Sequence, residues 1–215
     1  NVISLAISSL CIVLLVHIFA LMDYVKVYQF ALNVIAANAL FGIAIPQLQA
    51  DNALLKDRVF VDTLTQAYTR EYLAQRSALE MAQSRESGSS LYFVMFDLDK
   101  FKRINDELGH VDGDNALRRL SQVTKDIVRK ADVFARFGGD EFVLLLPNIS
   151  EQNALNLVDK VREGINAIVI SEVSLSSSFG VTLMQQSDTL ETLIQRADRA
   201  LYASKEKGGN TITLK

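Results

Sequence analysis

Apolar residues are concentrated at the start of the 215-residue chain, and the rest alternates amphipathic and apolar segments. Residues 2–22 are nearly unbroken apolar sequence, and as a helix they would span about 31 Å, the thickness of a bilayer core. A second apolar stretch covers residues 27–45 and is followed by Pro46, which should end it. We predict that residues 1–46 form a transmembrane helical hairpin. The alternative is a buried hairpin of a soluble domain.

The second apolar stretch contains three amide side chains. Gln29, Asn33 and Asn38 interrupt the second span, and amides within a membrane span usually face another helix or subunit. A signal peptide is not expected, because no basic region precedes the apolar stretch and no small-residue cleavage site follows it. The chain begins with Asn1, so we expect a fragment of a longer membrane or sensor protein.

Residues 47–62 are predicted to form a helix that connects the membrane segment to a domain over residues 63–215. Leu48 and Leu55 are seven residues apart and are flanked by Val59, which is the spacing of a coiled-coil seam. The pattern covers only two heptads, so dimerisation through this helix stays open.

Helical and strand-like patterns alternate through the remaining chain. Helices are predicted over residues 69–84, 100–108, 114–130, 150–167 and 189–207. Strands are predicted over residues 91–98, 132–137, 142–146, 173–184 and 211–214. This order indicates an α+β domain, in which helices cover one or both faces of a sheet.

Charge and cysteine content narrow the function classes. The net charge of −3 and the pI near 5.5 argue against a nucleic-acid partner that relies on a basic surface. The single cysteine, Cys11, cannot form an internal disulfide, which is compatible with a reducing compartment.

A Gly-Gly-Asp-Glu-Phe run at residues 138–142 joins two predicted strands. Gly138 and Gly139 favour a tight hairpin, because glycine adopts positive φ at little steric cost and lets a ligand approach the backbone closely. Asp140 and Glu141 follow the turn directly, so two carboxylates at the hairpin tip are placed to hold a divalent cation. The alternative for this run alone is an ordinary turn with solvated acids.

Four motifs in one order resemble the GGDEF family of diguanylate cyclases, which convert two GTP molecules into cyclic di-GMP and two pyrophosphates. They are Asp62-Thr63-Leu64-Thr65 with Arg70 and Leu73, residues 96–114, the hairpin, and residues 197–210. The resemblance covers roughly residues 60–215, although the glycine and asparagine usual in the first motif are Gln66 and Thr69 here. It implies a mainly antiparallel central sheet, like that of nucleotide cyclase and polymerase palm domains. It also implies an active homodimer, because each subunit holds one GTP.

A metal site is expected where the second motif and the hairpin meet. Asp97 closes a predicted buried strand, where a carboxylate without a partner is costly. A triphosphate is itself anionic, so an acidic site receives it through a bridging cation. Carboxylates of Asp97 and Asp140 with the Leu98 carbonyl would favour Mg²⁺, or Mn²⁺ in its place, as one ion or two. The alternative for Asp97 is a cap of the following helix.

The resemblance also assigns catalytic roles. It implies that Asp97 and Asp140 are metal ligands, that Asp140 accepts the proton of the 3′-hydroxyl, and that Glu141 is a further ligand or a support. Lys102, five residues after Asp97, can reach a phosphate, and the family implies that it stabilises charge in the transition state. The alternative for Lys102 is an ordinary solvated lysine on the surface of a helix.

Lys205 is implied to contact the γ-phosphate of the substrate. The arginine that the family commonly places four residues further on is Gly209 in this chain. A weaker grip on the triphosphate is therefore expected, and substitution by Lys207 stays open.

Guanine recognition is expected from Asn105 and Asp114. An amide can bond the edge of the ring, and a carboxylate can accept from the N1–H and the exocyclic amine of guanine, a donor pair that adenine lacks. Asp114 therefore favours GTP over ATP. His110 lies between them and is either a contact to ribose or base or a structural residue.

Arg129 and Asp132 form an R-x-x-D pair that resembles the inhibitory product site of the family, with Asp132 six positions before Gly138. An arginine can bind phosphate and the Hoogsteen edge of guanine, while the aspartate takes the guanine donors, so the pair suits cyclic di-GMP. The alternative is a surface ion pair.

Two classes of function follow. The first is a magnesium-dependent diguanylate cyclase anchored in the bacterial inner membrane, with a cytoplasmic catalytic domain and product feedback. The alternative is a catalytically silent GGDEF domain that binds GTP or cyclic di-GMP and signals through contacts. The carboxylates and Lys102 favour the enzyme, whereas Gly209 and the altered first motif favour the silent module.

Overall fold

The computed structural model describes the backbone of residues 2–215 and the side chains of residues 12–30, 32–47 and 60–215. The chain divides into two compact units, one that ends at Leu55 and one that comprises Lys56–Lys215. The side chains of Leu48, Leu55 and Val59, on which the coiled-coil spacing rests, lie outside the described residues, as does that of Cys11.

One continuous helix, α1 (Val2–Phe60), stands where a transmembrane hairpin is predicted. It continues through residues 23–26 without a turn, and Pro46 lies inside it instead of ending it. Residues 23–26 include no glycine or proline that would stop a helix, and the Lys26 ammonium lies 3.5 Å from the Asp23 carboxylate one turn away. Hydropathy finds the two apolar stretches but does not show whether the polar residues between them turn.

Within α1, Ile12–Gln47 is the only stretch of the described helices that is long and apolar enough to cross a membrane. Its 36 residues extend about 54 Å, more than the ~30 Å core of a bilayer requires. Large apolar side chains such as Phe19, Leu21 and Phe30 are exposed along it. By length and composition this stretch is a candidate membrane segment.

The second unit holds five further helices and seven strands. The helices are α2 (Arg70–Ser87), α3 (Phe101–Leu108), α4 (His110–Ile127), α5 (Glu151–Asn166) and α6 (Leu190–Glu206). The strands are β1 (Leu91–Leu98), β2 (Val133–Gly138), β3 (Glu141–Pro147), β4 (Val169–Ile170), β5 (Val173–Ser174), β6 (Ser177–Leu183) and β7 (Ile212–Leu214). All predicted elements of this unit are present. The predicted strand over 173–184 is divided into β5 and β6, and β4 is additional.

Side-chain caps fix where three of these helices begin. The hydroxyl oxygens of Thr69 and Ser150 accept from backbone N–H groups three residues later, both at 3.4 Å. Thr189 and Thr192 form a reciprocal capping box at the start of α6. Helix α4 begins at His110, earlier than predicted, so Asp114 lies inside its first turns instead of at its start.

Five strands form the central sheet, in the order β2-β3-β1-β6-β7. All neighbours are antiparallel except β6 and β7, so the predicted mainly antiparallel α+β fold is confirmed. Strand β1 lies at the centre, and its Asp97 pairs with Glu141 on β3 and with Ser178 on β6. The carboxylates of two predicted motifs are thus adjacent at one end of the sheet.

Hydrophobic cores lie on both faces of the sheet. Phe96 of β1 belongs to the core formed with α4 and α5, and its ring stacks on Phe142 and Phe179 with centroids 5.6 and 4.8 Å apart. Leu91, Phe93 and Met95 of β1 belong to the opposite core, formed with α2 and α6. Because side chains alternate along a strand, Asp97 continues this second row, on the face that α6 covers.

Candidate active site at the end of the central strands

Asp97 is a buried carboxylate with one cationic partner. The residue is only 4% exposed, and one of its carboxylate oxygens forms an ion pair with the Lys205 ammonium of α6. The other oxygen, Oδ1, is buried without a hydrogen-bond partner among the described residues. Burial raises the pKa of Asp97 to about 6; Lys205 opposes this, and the neighbouring carboxylates of Asp140 and Asp99 add to it. The site therefore favours additional positive charge.

The predicted glycine hairpin is present between β2 and β3. Gly139 has φ +52°, a left-handed conformation that favours glycine, whereas Gly138 does not have positive φ. The pairing of the two strands shifts between Arg136 and Gly138, and the Arg136 guanidinium donates to the Gly139 carbonyl at 2.9 Å. The turn is thus held from within, which fixes the partly buried Asp140 at its tip.

An open cavity of about 570 Å³ brings the predicted metal and phosphate residues together. It is lined by Asp97, Leu98, Asp99, Lys100, Phe101, Lys102, Asp140, Lys205, Gly208 and Gly209. Five predicted site residues are in this set: Asp97, Leu98, Lys102, Asp140 and Lys205. A cavity with three carboxylates and three ammonium groups suits a ligand that combines an anionic chain with a bound cation.

Glu141 lies beside this cavity and lines a neighbouring one of about 300 Å³ with Asp198, Tyr202 and Lys205. Burial raises the pKa of Glu141, and Asp140 and Asp198 raise it further, against the opposing effects of Lys205 and Arg70. Glu141 thus lies beside Lys205, and its role as a further metal ligand or as a support stays a prediction.

Lys205 is the cationic centre of this acidic group. Burial disfavours its ammonium form, but the carboxylates of Asp97, Asp140 and Glu141 outweigh burial and raise the pKa of Lys205. Lys205 is therefore charged at neutral pH and can form a charge-assisted hydrogen bond to an anionic group in the cavity.

The expected base-reading residues lie at the junction of α3 and α4, outside the lining of the 570 Å³ cavity. Gly113 is buried there, and a Cβ at this position would lie 1.9 Å from the Asn105 side-chain oxygen and 3.4 Å from the Phe101 ring. Asn105 therefore packs against the residue that precedes Asp114. Phe101, which sequence reasoning missed, reaches both this junction and the cavity.

Asp114 is accessible to a ligand. Its side chain is 50% exposed, and its nearest cation is Arg118 at 3.9 Å. His110 is exposed at the start of α4. The structure thus brings Asn105 and Asp114 together on adjoining helices, with His110 on the same helix as Asp114.

Asp99 is a further residue that sequence reasoning missed. Its carboxylate accepts from the Ser178 hydroxyl at 2.6 Å, the Ser176 hydroxyl at 2.9 Å and the Asn210 backbone N–H at 2.8 Å. These partners lie at least 77 residues away along the chain, so no local pattern indicates them. Asp99 holds the loop after α6 against the end of β1, beside Lys205.

Gly209, in place of the arginine that the resemblance leads one to expect, packs on Asp99. It has φ +80°, and a Cβ added to it would lie 3.0 Å from the Asp99 carboxylate. The Lys207 ammonium donates to the Thr213 hydroxyl at 3.0 Å and is absent from the cavity lining. Lys207 is therefore not placed to substitute for the arginine.

Arg129 and Asp132 form a tight pair at the opposite end of β3 from Glu141. The Arg129 guanidinium lies 2.5 Å from Asp132 Oδ1 and donates to the Pro147 carbonyl at 3.1 Å. The Asp132 side chain is fully buried, and its carboxylate raises the pKa of Arg129. Arg129 also lines a cavity of about 440 Å³ with Asn148 and Lys160 among others.

The cavity at the end of β1 fits a magnesium ion by its donor set. The described residues contain no group of three or more His, Cys, Asp or Glu side chains arranged to hold a metal. Magnesium, however, is usually held by one or two carboxylates together with substrate phosphates and water. The partnerless Asp97 Oδ1, the Asp140 carboxylate and the Leu98 carbonyl supply such a partial set.

Comparison with known proteins identifies the family of this chain. The family model "Diguanylate cyclase, GGDEF domain" matches residues 59–211. The chain therefore belongs to the GGDEF domain family of diguanylate cyclases. The diguanylate cyclase DosC of Escherichia coli K12 is 35% identical over 164 residues, which are 74% of this chain and 36% of DosC. The chain thus spans about a third of the length of that relative.

Solved structures share the fold. The GGDEF domain of TpbB, also called YfiN, from Pseudomonas aeruginosa is 33% identical, with a TM-score of 0.68, and the match covers 72% of this chain and 93% of that one. The coiled coil and GGDEF domain of DgcB from Caulobacter crescentus, solved with cyclic di-GMP, has a TM-score of 0.77 at 23% identity. That match covers 84% of this chain and 98% of the solved DgcB chain.

Proposed function

We propose that this chain is an active diguanylate cyclase that condenses two GTP molecules into cyclic di-GMP and releases two pyrophosphates. The observation that carries the proposal is the 570 Å³ cavity, in which Asp97, Asp140, Lys102 and Lys205 converge from three separate parts of the sequence. Family membership supports the reaction class.

The reaction forms one phosphodiester bond at a time. The 3′-hydroxyl of one GTP attacks the α-phosphorus of the other, the hydroxyl proton passes to the Asp140 carboxylate, and pyrophosphate leaves. Lys205 would hold the terminal phosphates, and Lys102 would neutralise charge that develops as the leaving group departs. Repeating the step with the roles of the nucleotides exchanged closes the cyclic dinucleotide.

Asp97, Asp140 and the Leu98 carbonyl would hold the magnesium or manganese ion, with Glu141 as a support. When bound, the ion neutralises the triphosphate and draws it toward the carboxylates. The raised pKa of Asp97 supports this role, because burial and like charge disfavour its carboxylate until a cation arrives.

Base selection is assigned to the α3–α4 junction. Asn105 and Asp114 lie on adjoining helices, and the half-exposed Asp114 carboxylate can accept both guanine donors. Phe101 lies at both this junction and the cavity. One nucleotide could therefore extend its base to the junction and its phosphates into the cavity.

A homodimer is the proposed active form. Each chain offers one such cavity, and the attacking hydroxyl and the attacked phosphorus belong to different GTP molecules. Two chains must therefore face each other, and specific activity should rise with protein concentration until the dimer is saturated.

Product feedback is proposed at Arg129 and Asp132. The pair lies at the far end of β3 from Glu141, and Arg129 lines a cavity of about 440 Å³. Homologous GGDEF domains solved with cyclic di-GMP support binding of this product to the family. Binding there would act on dimer geometry rather than compete for the metal.

The exposed apolar segment of α1 is proposed to anchor the chain in the bacterial inner membrane, with the catalytic domain in the cytoplasm. Its 36 residues and its apolar side chains support burial in lipid. Recovery of the intact chain in the soluble fraction without detergent would contradict this.

The decisive experiment is incubation of the detergent-solubilised chain with GTP and magnesium, followed by identification of the nucleotide product. We expect cyclic di-GMP and pyrophosphate in a ratio of one to two, with no product from ATP or in the presence of EDTA. Tight nucleotide binding without turnover would instead support the silent signalling module, which Gly209 favours.

A further inference from the structure

Three lysines line the cavity at the end of β1, and among the described residues only Lys205 has an ion pair there, with Asp97. Lys102 already has an expected role toward phosphate. The Lys100 ammonium likewise has no hydrogen bond or ion pair to any residue that the structure describes. The Lys100 side chain is exposed and lines this cavity as well as a neighbouring one of about 210 Å³.

The backbone of Lys100 is unusual for a lysine. Its φ of +59° and ψ of +28° are left-handed, a conformation that residues with a Cβ adopt at an energetic cost. It occupies the cap position of α3, and its carbonyl accepts from the Arg103 N–H at 2.8 Å and the Ile104 N–H at 3.3 Å. Glycine or asparagine would serve this backbone role at lower cost, so the lysine side chain needs its own explanation.

The loop after α6 provides no cation to the cavity. Gly208 and Gly209 line the cavity there, and the Lys207 ammonium donates to the Thr213 hydroxyl instead. Asp99, the residue before Lys100, contacts Gly209, so Lys100 lies next to this loop. Lys100 is therefore a positive charge without a partner among the described residues, next to the part of the cavity where the loop carries none.

We infer that Lys100 binds the terminal phosphates of the nucleoside triphosphate and supplies the second phosphate cation beside Lys205. The inference rests on the proposed function of the cavity and adds a substrate-binding residue to it. A lysine acts on phosphate as a point charge, so its contribution grows with the number of phosphates on the ligand. Lys100 should accordingly distinguish a guanosine triphosphate from a monophosphate.

The test is binding of two probes by calorimetry in the presence of magnesium. One probe is a GTP analogue with an α,β-methylene bridge, which cannot release pyrophosphate, and the other is GMP. The variants are Lys100→Gln, Lys100→Gly and Lys100→Arg, with Lys207→Gln as the matched control. Glycine tolerates the left-handed backbone at this position, so Lys100→Gly removes the charge without added strain.

We expect Lys100→Gln and Lys100→Gly to weaken binding of the triphosphate analogue about ten-fold, a typical loss for one charged contact. Their affinity for GMP should match the parent, Lys100→Arg should restore triphosphate binding, and Lys207→Gln should bind like the parent. In turnover assays, KM for GTP should rise by a similar factor while kcat changes little.

Two results would overturn the inference alone. If Lys100→Gly binds the analogue as the parent does, only the backbone of Lys100 matters; if GMP and the analogue lose affinity equally, its role is structural. In both cases the parent would still convert GTP. A parent chain that binds no triphosphate at all would overturn the proposed function and this inference together.

Discussion

The Arg136 guanidinium bonds to the Asp62 carboxylate at 3.0 Å, although 74 residues separate them along the chain. Asp62 lies in the turn that follows α1, and the same guanidinium donates to the Gly139 carbonyl in the hairpin turn at 2.9 Å. One side chain thus ties the end of the long helix to the turn that positions Asp140. The neighbouring backbone adds to this link, since Tyr68 bonds to β2 through its N–H and its carbonyl.

We predict that Arg136→Lys lowers both stability and activity. A lysine keeps the charge but cannot donate to Asp62 and Gly139 together in the fixed fork of a guanidinium. The expected loss of unfolding free energy is on the order of 1–2 kcal/mol for a part-buried charged hydrogen bond, and the rate should fall because Asp140 is held less firmly. Chemical denaturation and initial rates measure the two effects. Arg119→Lys is the control, because Arg119 is exposed and donates once, to Val169.

An outcome in which stability falls and activity is unchanged would mean that the Asp62 link is only structural.

Burial raises the pKa of Asp62, but hydrogen bonds from Thr65 and Arg136 outweigh burial, so the pKa of Asp62 is lowered. The contribution of this carboxylate is therefore present at neutral pH and lost only as the pH falls through that lowered pKa.

Asp97 should make the metal-free protein more stable in mild acid. Its pKa is raised by burial from 3.8 to about 6, so between those values the folded chain binds a proton more readily than the unfolded chain. The stabilising contribution is complete below about pH 4 and is lost as the pH rises through about 6. Asp97→Asn should thus stabilise the EDTA-treated protein at pH 7.5, by at most about 3 kcal/mol, and much less at pH 4.5.

Thermal unfolding of parent and variant at the two pH values checks this. Asp126→Asn, a change at an exposed carboxylate of α4, is the control and should show no comparable dependence. A difference between parent and Asp97→Asn that is the same at both pH values would mean that burial does not perturb Asp97 in this way.

Asp140→Asn should abolish product formation and leave the fold intact. The change keeps the shape of a partly buried side chain at the hairpin tip and removes the charge that would hold the metal and accept the hydroxyl proton. Circular dichroism and product analysis measure the two outcomes, with the exposed Asp106→Asn as the control. Activity within a few-fold of the parent, with unchanged metal dependence, would remove Asp140 from the mechanism.

Asp114→Ser should relax selection of guanine over adenine. Loss of the paired acceptor should weaken the binding free energy of GTP by roughly 1–3 kcal/mol, whereas ATP, which lacks the donor pair, should bind as before. Competition by ATP against GTP measures the change. Asp112→Ser is the matched control, because Asp112 lies on the same helix turn but accepts from the Ser171 hydroxyl at 3.0 Å. Unchanged base preference in Asp114→Ser would show that this carboxylate does not read guanine.

Local patterns were sufficient to predict much of the catalytic unit. Strand β1 is predicted to the residue, because its apolar run is buried on both faces and ends where Asp99 meets polar partners. The hairpin follows from two glycines between apolar strands. These elements depend on neighbours in sequence, where a single chain carries its strongest signals.

Other features depend on distant contacts or on a continuing helix. Asp99 acquires its role from Ser176, Ser178 and Asn210, which lie just before β6, in β6 and in the loop after α6. The contact of Asn105 with Gly113 likewise exists only once α3 and α4 pack. In α1, two apolar stretches separated by a few polar residues suit a hairpin and a long helix equally, and only the backbone distinguishes them.

Product feedback is expected to depend on Arg129, at the far end of β3 from Glu141. Added cyclic di-GMP should inhibit the parent, and Arg129→Ala should remove most of that inhibition without lowering the rate measured before product accumulates. The Arg129 guanidinium, which pairs with Asp132 and lines a separate cavity, is well removed along β3 from Glu141. Its loss should weaken product binding by on the order of 1.5–3 kcal/mol, about ten-fold or more.

Titration of parent and variant with cyclic di-GMP, followed through initial rates, measures this shift. Lys130→Ala is the control, because Lys130 is exposed beside Arg129 and does not line the cavity. The Asp132 carboxylate also accepts from the Arg129 backbone N–H at 2.8 Å, a bond that the alanine variant keeps, so the local turn should survive. Equal inhibition of parent and Arg129→Ala would mean that Arg129 and Asp132 form only a structural ion pair, because a product that binds through Arg129 must bind more weakly without it.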